Sequence, residues 1–214
     1  MKMKWIERTL DWLYPPHCPF CGIPTYGAPC ISCCKRLEGE QNTLYFQTDF
    51  CDRYSAPLFY SKDVRSAILQ FKYHNKRDYS RGFATLMRDI VPNENYSIIC
   101  SIPEYKGENR HYQTSAILSK ELSKLLGIPY RTEVIKKIRK TKKQHEISYH
   151  ERFFNLQNSF AVSDKNALRG NILLCDDIIT TGSTVNEIAK VCKEAGAGRV
   201  CAVSVALSCY HIKR

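Results

Sequence analysis

Residues 171–207 contain two short apolar runs on either side of a helical pattern, and this arrangement limits the fold more than any other feature of the sequence. The runs at 171–175 and 200–207 each predict a buried strand, and residues 184–195 predict a helix that ends at Gly196. Short apolar runs that alternate with helices are typical of parallel sheets. The sequence therefore predicts an α/β fold.

The same alternation extends through the middle of the chain. Four further elements are predicted there: a strand at 54–60, a helix at 64–73, a strand at 96–102 and a helix at 114–126 that ends at Gly127. A chain of 214 residues is long enough for one substantial core and a small appendage, but short for two full domains. We therefore expect an N-terminal module over 1–48 and one main α/β domain over 49–214.

The segment HCPFCGIPTYGAPCISC, residues 17–33, places four cysteines in two pairs: Cys18 with Cys21, and Cys30 with Cys33. A two-residue spacing lets both sulfurs of one turn face the same ion, so this pattern predicts a tetrahedral Zn²⁺ site. Gly22 suits the left-handed backbone of a tight metal-binding knuckle. Because the segment has little periodicity and few aliphatic residues, we expect a structural zinc to hold it together.

Some alternatives for the cysteines stay open. Cys34 in place of Cys33, or His17 in place of a thiolate, would also complete a ligand set. Ordinary reduced thiols are a third interpretation, but they explain poorly why four cysteines fall within sixteen residues. The other cysteines lie mostly in apolar runs without paired spacing, and we expect them to be small core residues: Cys51, Cys100, Cys175, Cys192, Cys201 and Cys209.

The stretch LLCDDIITTGST, residues 173–184, runs from a predicted strand to the start of a predicted helix. In open α/β folds the carboxyl ends of the strands form the edge at which ligands bind, and we expect Asp176 and Asp177 to emerge there. Backbone N–H groups and the helix dipole can bind a phosphate at such a turn, with hydroxyls as further donors. The residues concerned are Thr180, Thr181, Gly182, Ser183 and Thr184.

Two adjacent carboxylates repel a bare phosphate, so they must meet another part of the ligand. The vicinal hydroxyls of a ribose donate to carboxylate oxygens, and Mg²⁺ binds to such oxygens. The pattern therefore predicts a sugar phosphate. The chain has no P-loop, dinucleotide-binding or calcium-loop motif, and an aspartate turn followed by a threonine cap explains only part of the pattern.

Basic residues outnumber acidic ones by 32 to 21, and the resulting net charge of +11 favours anionic partners. Residues 131–152 hold eight lysines and arginines against three glutamates. This run fits either a solvated, mobile face or a phosphate-binding loop. The stretch FKYHNKRDYSRGF, residues 71–83, has two interpretations. It could bind single-stranded DNA, with lysines and arginines on the backbone phosphates and aromatic rings stacked on the bases, or it could be an amphipathic helix with an exposed basic face.

Residues 4–14 carry apolar side chains at helical spacing, with Trp5 and Trp12 nearby, and predict a short amphipathic helix. This helix would dock onto its own protein, or else contact a partner or a membrane surface. No apolar run reaches the roughly 20 residues that span a bilayer, and charged residues interrupt any signal-peptide core. We expect a soluble, unexported protein without a transmembrane segment.

The stretch at 173–184 resembles the phosphoribosyl pyrophosphate (PRPP) binding motif of type I phosphoribosyltransferases. With the cysteine pairs, the chain is similar to the ComF family of competence proteins from Tyr14 to Ser208. Supporting stretches follow the family's order: YPPHCPFCG at 14–22, AILQFKY at 67–73, ENRHYQTS at 108–115, RKTKKQ at 139–144 and ERFFNLQNSF at 151–160. The family's usual PVP is SIP at 101–103 here, and its usual RGFNQ is RHYQT at 110–114.

The resemblance implies a type I phosphoribosyltransferase-like parallel sheet flanked by helices, preceded by a small zinc finger. It implies a cytoplasmic competence factor that handles or imports single-stranded DNA in natural transformation, beside a helicase of the uptake machinery. Peripheral association with the inner face of the membrane, through partners, stays open.

The resemblance also implies a PRPP pocket. In it Asp176 and Asp177 are the catalytic-site acids that hold the ribose, residues 180–184 hold its phosphate, Mg²⁺ accompanies PRPP, and Lys106 and Arg110 lie on the pyrophosphate side. Two other functions stay open: an active phosphoribosyltransferase of nucleotide metabolism, or a non-catalytic sensor of PRPP or a nucleotide. No sequence feature identifies an acceptor base, so the sequence does not decide whether the chain is an enzyme.

Overall fold

A parallel sheet lies between two layers of helices, and a four-cysteine segment precedes it in the chain. The computed structural model describes residues 12–13, 15–25, 28–103, 112–139 and 156–208. The predicted α/β class, with a parallel sheet flanked by helices, is confirmed. Within these ranges, no helix is long and apolar enough to cross a membrane.

The described part of the chain contains five α-helices and seven strands. The helices are α1 (Ile31–Arg36), α2 (Lys62–Tyr73), α3 (Tyr79–Arg88), α4 (Thr114–Leu126) and α5 (Ser183–Glu194). The strands are β1 (Arg53–Ser55), β2 (Leu58–Phe59), β3 (Tyr96–Ser101), β4 (Ile135–Lys137), β5 (Phe160–Val162), β6 (Gly170–Ile179) and β7 (Ala197–Leu207).

The main sheet has the order β1-β7-β6-β3, and all of its pairs are parallel. β2 also pairs with β7, further along the same edge than β1. Ala56 and Pro57 separate β1 from β2, and Pro57 lacks the N–H that would continue the ladder. The strand predicted at 54–60 is therefore two short strands.

Alternation along the central strands divides the core into two layers. Leu173 and Cys175 of β6 face the same side as Cys201 and Val203 of β7, where they pack with α2, α3 and α4. The residues between them, such as Leu174, pack with α5 on the other side. Successive strand residues point to opposite faces, so helices on both faces explain why the two runs are apolar throughout.

The strand that carries the acidic residues is longer than the sequence predicts. β6 continues to Ile179 and stays paired with β7 beyond residue 175. Ile179 is buried, and the ladder satisfies the backbone, so nothing ends the strand earlier. Asp176 and Asp177 therefore lie within the strand and point to opposite faces of the sheet, instead of emerging together in a loop.

A small antiparallel pair contains the start of the basic run. β4 pairs with β5, with Lys136 opposite Ala161. Ile135 and Phe160 are buried, whereas Lys136 is exposed. The basic run thus includes a short strand with one buried face, and its continuation at 140–152 lies outside the described residues.

Helix α3 has no counterpart among the predicted elements, and the cysteine segment is docked on it. Phe20 packs edge-on against Phe83, with ring centroids 6.0 Å apart. A Cβ added at Gly82 would lie 2.8 Å from Cγ of Pro19, so the glycine permits this close approach. Glycine weakens a helix, and this packing explains its presence within α3.

The N-terminal helix is described only at residues 12–13. Trp12 is 77% exposed and Leu13 is 57% exposed, and the rest of the predicted helix lies outside the described residues. Whether the helix contacts its own chain or a partner stays a prediction. The domain division at residue 48 also stays a prediction.

Candidate functional site

The sulfurs of Cys18, Cys21, Cys30 and Cys33 lie within 4.8 Å of one another. Sγ of Cys21 is 3.6 Å from Sγ of Cys30. A tetrahedral zinc with Zn–S bonds of about 2.3 Å separates its sulfurs by about 3.8 Å, so the cluster fits this ion. Gly22 has a φ of 75°, and its N–H donates to the carbonyl oxygen of Cys18. The structure therefore brings the predicted ligands together in a knuckle.

Backbone N–H groups point at the sulfurs of this cluster. The N–H of Cys30 donates to Sγ of Cys18 at 3.4 Å. The N–H of Cys33 lowers the pKa of the Cys30 thiol to about 7. Because the thiolate is the form that binds a metal, the lowered pKa favours the ligand state of Cys30, whereas burial raises the pKa of the Cys33 thiol.

The two alternative ligands, His17 and Cys34, have other partners. Nδ1 of His17 lies 2.8 Å from Oδ2 of Asp78, next to the start of α3. Sγ of Cys34 lies 3.7 Å from the carbonyl oxygen of Pro29, and burial raises the pKa of this thiol. Neither residue belongs to the four-sulfur cluster, so the geometry favours the Cys₄ set.

Five further cysteines are buried in the core: Cys51, Cys100, Cys175, Cys192 and Cys201. Burial raises the pKa of their thiols, to about 12 for Cys100, Cys175 and Cys192. The prediction that they are small core residues is confirmed. Cys209 lies outside the described residues.

After β6 the chain turns through Gly182 into α5. Gly182 has a φ of 78°, and a Cβ there would lie 3.2 Å from Cγ2 of Thr48 and 3.3 Å from Oη of Tyr54. Oγ1 of Thr181 accepts from the N–H of Ser183 at 3.3 Å and lies 2.8 Å from its hydroxyl. The turn thus holds hydroxyls beside the positive end of a 12-residue helix.

The two aspartates have different environments. Asp177 is buried, and each of its carboxylate oxygens has a partner in a helix. Oδ1 lies 2.6 Å from Nζ of Lys72 in α2, and Oδ2 accepts from Oγ1 of Thr114 in α4 at 2.6 Å. Asp176 is more exposed, and its Oδ1 accepts from the N–H of Asp177. The sequence pattern does not distinguish the two acids, whereas the structure gives them different burial and different partners.

A cavity of about 300 Å³ connects the aspartates to the turn. It is large enough for a small ligand. Most of the predicted site residues line it: Asp176, Asp177, Thr180, Gly182, Ser183 and Thr184. Thr181 lies beside it, bonded to Ser183. The carboxylates, hydroxyls and helix N-terminus that the sequence pattern indicated therefore meet at one cavity.

A second cavity, of about 330 Å³, lies between the cysteine segment and the main domain. Its walls are largely apolar and include Phe20, Leu37, Leu58, Leu86 and Ile90. The slightly smaller cavity beside β6 is lined by the two carboxylates and by the turn at 180–184, which we call the phosphate-type turn because such turns bind phosphates. We therefore place the candidate functional site at the cavity beside β6.

Three residues that the sequence analysis did not assign to the site belong to it. Lys72 and Tyr60 line the cavity, and Thr114 fixes Asp177. They come from other parts of the chain. Lys72 and Thr114 lie in stretches that carry the family resemblance, at 67–73 and 108–115, but the sequence analysis gave neither residue a role. The predicted pyrophosphate-side residues, Lys106 and Arg110, lie outside the described residues.

The stretch at 71–83 does not offer the stacking surface that its aromatic residues suggested. Phe71, Tyr79 and Phe83 are buried in the core. Tyr73, which is 44% exposed, is the aromatic residue of this stretch that reaches the surface. The alternative of a single amphipathic helix also needs correction, because the stretch spans the end of α2, a turn and the start of α3.

We expect Gly182→Ala to destabilise the fold more than Gly127→Ala. Both glycines have a left-handed backbone, with a φ of 78° at Gly182 and 70° at Gly127, but a Cβ at Gly127 would meet no atom within 4 Å. A left-handed alanine costs about 1–2 kcal/mol, which corresponds to roughly 2–8 °C in Tm for a chain of this size. The crowding against Thr48 and Tyr54 adds to this loss at Gly182 alone. Thermal unfolding followed by circular dichroism tests this, and equal shifts would contradict it.

Two curated proteins are similar to this chain over most of its length. Competence protein F of Haemophilus influenzae is 28% identical over 198 residues, which cover 86% of this chain and 82% of the relative. DNA utilization protein YhgH of Salmonella typhi is 28% identical over 195 residues, which cover 86% of this chain and 80% of the relative. No protein-family model matches the chain.

Among solved structures, the glutamine PRPP amidotransferase from B. subtilis aligns with a TM-score of 0.39 and 18% identity. The alignment covers 56% of this chain and 25% of that structure's chain, so the similarity spans about a quarter of the amidotransferase. The two curated relatives each cover 86% of this chain. The chain is a homologue of competence protein F and of the YhgH DNA utilization proteins, which is the relationship that its motifs predicted.

Proposed function

We propose that this chain is a ComF-like competence factor of natural transformation that binds PRPP, or a related ribose phosphate, in the cavity beside β6. The curated relatives are named for competence and for DNA utilization, and these names support a role in handling single-stranded DNA. We place the protein in the cytoplasm or at the inner face of the membrane, beside a helicase of the uptake machinery. Zinc in the Cys₄ cluster is structural in this proposal.

The observation that carries the proposal is that a carboxylate and the turn at 180–184 line one and the same cavity. The hydroxyls of Thr180, Ser183 and Thr184 line it, and the N-terminus of α5 contributes backbone N–H groups and a partial positive charge. A phosphate at this end of the cavity would accept hydrogen bonds from these donors.

Asp176 supplies the second recognition element. A carboxylate accepts hydrogen bonds from vicinal hydroxyls, and Asp176 is the more exposed of the two acids in the cavity wall. Oxygen ligands of this kind also suit Mg²⁺, which would neutralise the charge of a pyrophosphate group when bound with the ligand. A ribose with a phosphate meets both elements at once.

Titration of the zinc-loaded full chain tests the proposal. In the presence of Mg²⁺, isothermal calorimetry should show saturable binding of PRPP, weaker binding of ribose 5-phosphate and no binding of ribose. Ribose lacks the phosphate that the turn recognises, and it is the matched control. Absence of saturable PRPP binding, or equal affinity for ribose, would reject the proposal.

The same preparation distinguishes a catalyst from a binding protein. Incubation with PRPP, Mg²⁺ and a panel of purine and pyrimidine bases should leave pyrophosphate at the level of a protein-free control. Release of pyrophosphate with one of the bases would instead identify an active phosphoribosyltransferase. Binding without release, together with unchanged DNA handling when the pocket is disabled, would identify a sensor of the metabolite.

A further inference from the structure

Residues 41–51, which we call the strap, connect the cysteine segment to the phosphate-type turn. The strap begins a few residues after α1, the helix that carries Cys33. It then runs antiparallel along the edge of the main sheet, first beside β2 and then beside β1, where Phe46 pairs with Tyr54. The rings of these two residues are stacked, with centroids 5.7 Å apart. The strap therefore follows a defined course along the sheet.

A buried asparagine side chain holds each end of the strap. Near its start, Nδ2 of Asn42 donates to the carbonyl oxygen of Ala56 at 2.8 Å, and Oδ1 accepts from the N–H of Leu44 at 3.0 Å. Near its end, Oδ1 of Asn186 accepts from the N–H of Phe50 at 3.0 Å. Asn186 lies in the first turn of α5 and is only 8% exposed. Loss of either side chain would therefore leave strap backbone groups without their partners.

The end of the strap packs on the phosphate-type turn. Cγ2 of Thr48 lies 3.2 Å from the place that a Cβ of Gly182 would occupy, and Oγ1 of Thr48 accepts from the N–H of Cys51 at 3.0 Å. The N–H of Asn186 donates to the carbonyl oxygen of Gly182 at 2.8 Å. Asn186 thus joins the two segments, because its backbone bonds to the turn and its side chain bonds to the strap.

This support matters because the phosphate-type turn is not itself a regular element. A binding group on a loop is placed less precisely than one on a helix or strand, unless its surroundings fix it. Gly182 and Ser183 line the cavity, whereas Asn186 and Thr48 are not among its described lining residues. These two residues would therefore affect a ligand through the turn and not by direct contact.

We infer that Asn186 is a positioning residue, which fixes the phosphate-type turn against the strap in the geometry that binds a phosphate. This inference rests on the proposed function and adds to it a residue outside the contiguous motif at 173–184. The hydrogen bond between Asn186 and Phe50 is the contact through which the strap acts.

Asn186→Leu in the zinc-loaded full chain tests the inference, because leucine branches at the same position but cannot accept from Phe50. With Mg²⁺ present, calorimetry should show that the affinities for ribose 5-phosphate and for PRPP both fall by about three- to tenfold, the effect of one neutral hydrogen bond. The ratio of the two affinities should not change, since both ligands carry the 5-phosphate. Unchanged affinities, or a loss for PRPP alone, would overturn the positioning role.

Cys192→Ala is the matched control for a general loss of stability. Cys192 is fully buried in the same helix, six residues or about 9 Å further from the turn than Asn186. This variant should lower the Tm but leave both affinities at the values of the unmodified chain. If it weakened both ligands as much as Asn186→Leu does, the effect would reflect stability alone, and the positioning role would be overturned.

Thr48→Val gives a second test that does not depend on a buried asparagine. Thr48 is partly exposed, and valine keeps the methyl group beside Gly182 but removes the hydroxyl that accepts from Cys51. Both affinities should again fall by the same factor, and if Asn186→Leu does not fold, unchanged affinities in Thr48→Val would overturn the inference. Failure of the unmodified chain to bind either ligand would instead reject the proposed function, and the positioning role with it.

Discussion

Replacement of Cys18 by serine should abolish zinc binding and soluble folding together. Structural zinc in small modules contributes about 10–16 kcal/mol of apparent binding free energy, which is comparable to the entire stability of a typical domain. Cys18 is fully buried at the centre of the knuckle. Without the ion, Phe20 would lose its position on α3 and leave Phe83 exposed. Metal content by mass spectrometry and the soluble fraction after expression measure both effects.

Cys34→Ser is the matched control for this prediction. Cys34 follows Cys33 directly but lies outside the four-sulfur cluster. This variant should retain close to one zinc per chain and a Tm near that of the unmodified protein. Loss of zinc in Cys34→Ser with retention in Cys33→Ser would mean that Cys34 is the ligand. A metal-free Cys18→Ser protein with native stability would show that the module does not depend on zinc.

The sequence predicted the elements whose signals are local. Helix α4 begins at Thr114 and ends before Gly127, as predicted, because a left-handed glycine ends it at a φ of 70°. Helix α3 escaped prediction because Gly82 interrupts its pattern, and the reason for that glycine is a contact with Pro19 far away in sequence. The extra length of β6 likewise depends on its partner β7. Tertiary contacts decided both cases.

The candidate site shows the same contrast between local sequence signals and tertiary contacts. The cysteine pairs and the turn at 180–184 are contiguous in sequence, so their spacing alone indicated their chemistry. Lys72 and Thr114 reach Asp177 from two separate helices, and only the packing of α2 and α4 on one face of the sheet brings them there. Sequence alone therefore identified the acids but could not assign them different roles.

Asp176→Asn should lower the affinity for PRPP by more than about a hundredfold, with little loss of stability. The carboxylate would accept two hydrogen bonds from the ribose hydroxyls, and each hydrogen bond to a charged group contributes about 1.5–3 kcal/mol. An amide nitrogen in place of one oxygen presents a donor to a hydroxyl donor. Calorimetry with PRPP and Mg²⁺ measures the affinity, and thermal unfolding measures the stability.

Asp177→Asn separates the two roles that the structure assigns to the acids. It leaves Lys72 without its ion-pair partner in a largely buried position, so a loss of up to about 3 kcal/mol of folding stability is expected in addition to weaker binding. Equal effects of the two variants on stability and affinity would contradict this assignment. Unchanged PRPP affinity in Asp176→Asn would remove the ribose-binding role altogether.

The same Asp176→Asn variant tests whether the proposed pocket supports the proposed role in DNA handling. The assay uses a naturally transformable host that depends on this chain. If ligand occupancy supports the handling of incoming DNA, a variant that folds normally but does not bind PRPP should lower the transformation frequency. Equal amounts of the two proteins on immunoblots, together with equal Tm values, would show that a loss of transformation does not arise from unfolding or degradation. Unchanged transformation would mean that DNA handling depends on other surfaces of the chain and that the pocket serves a separate function.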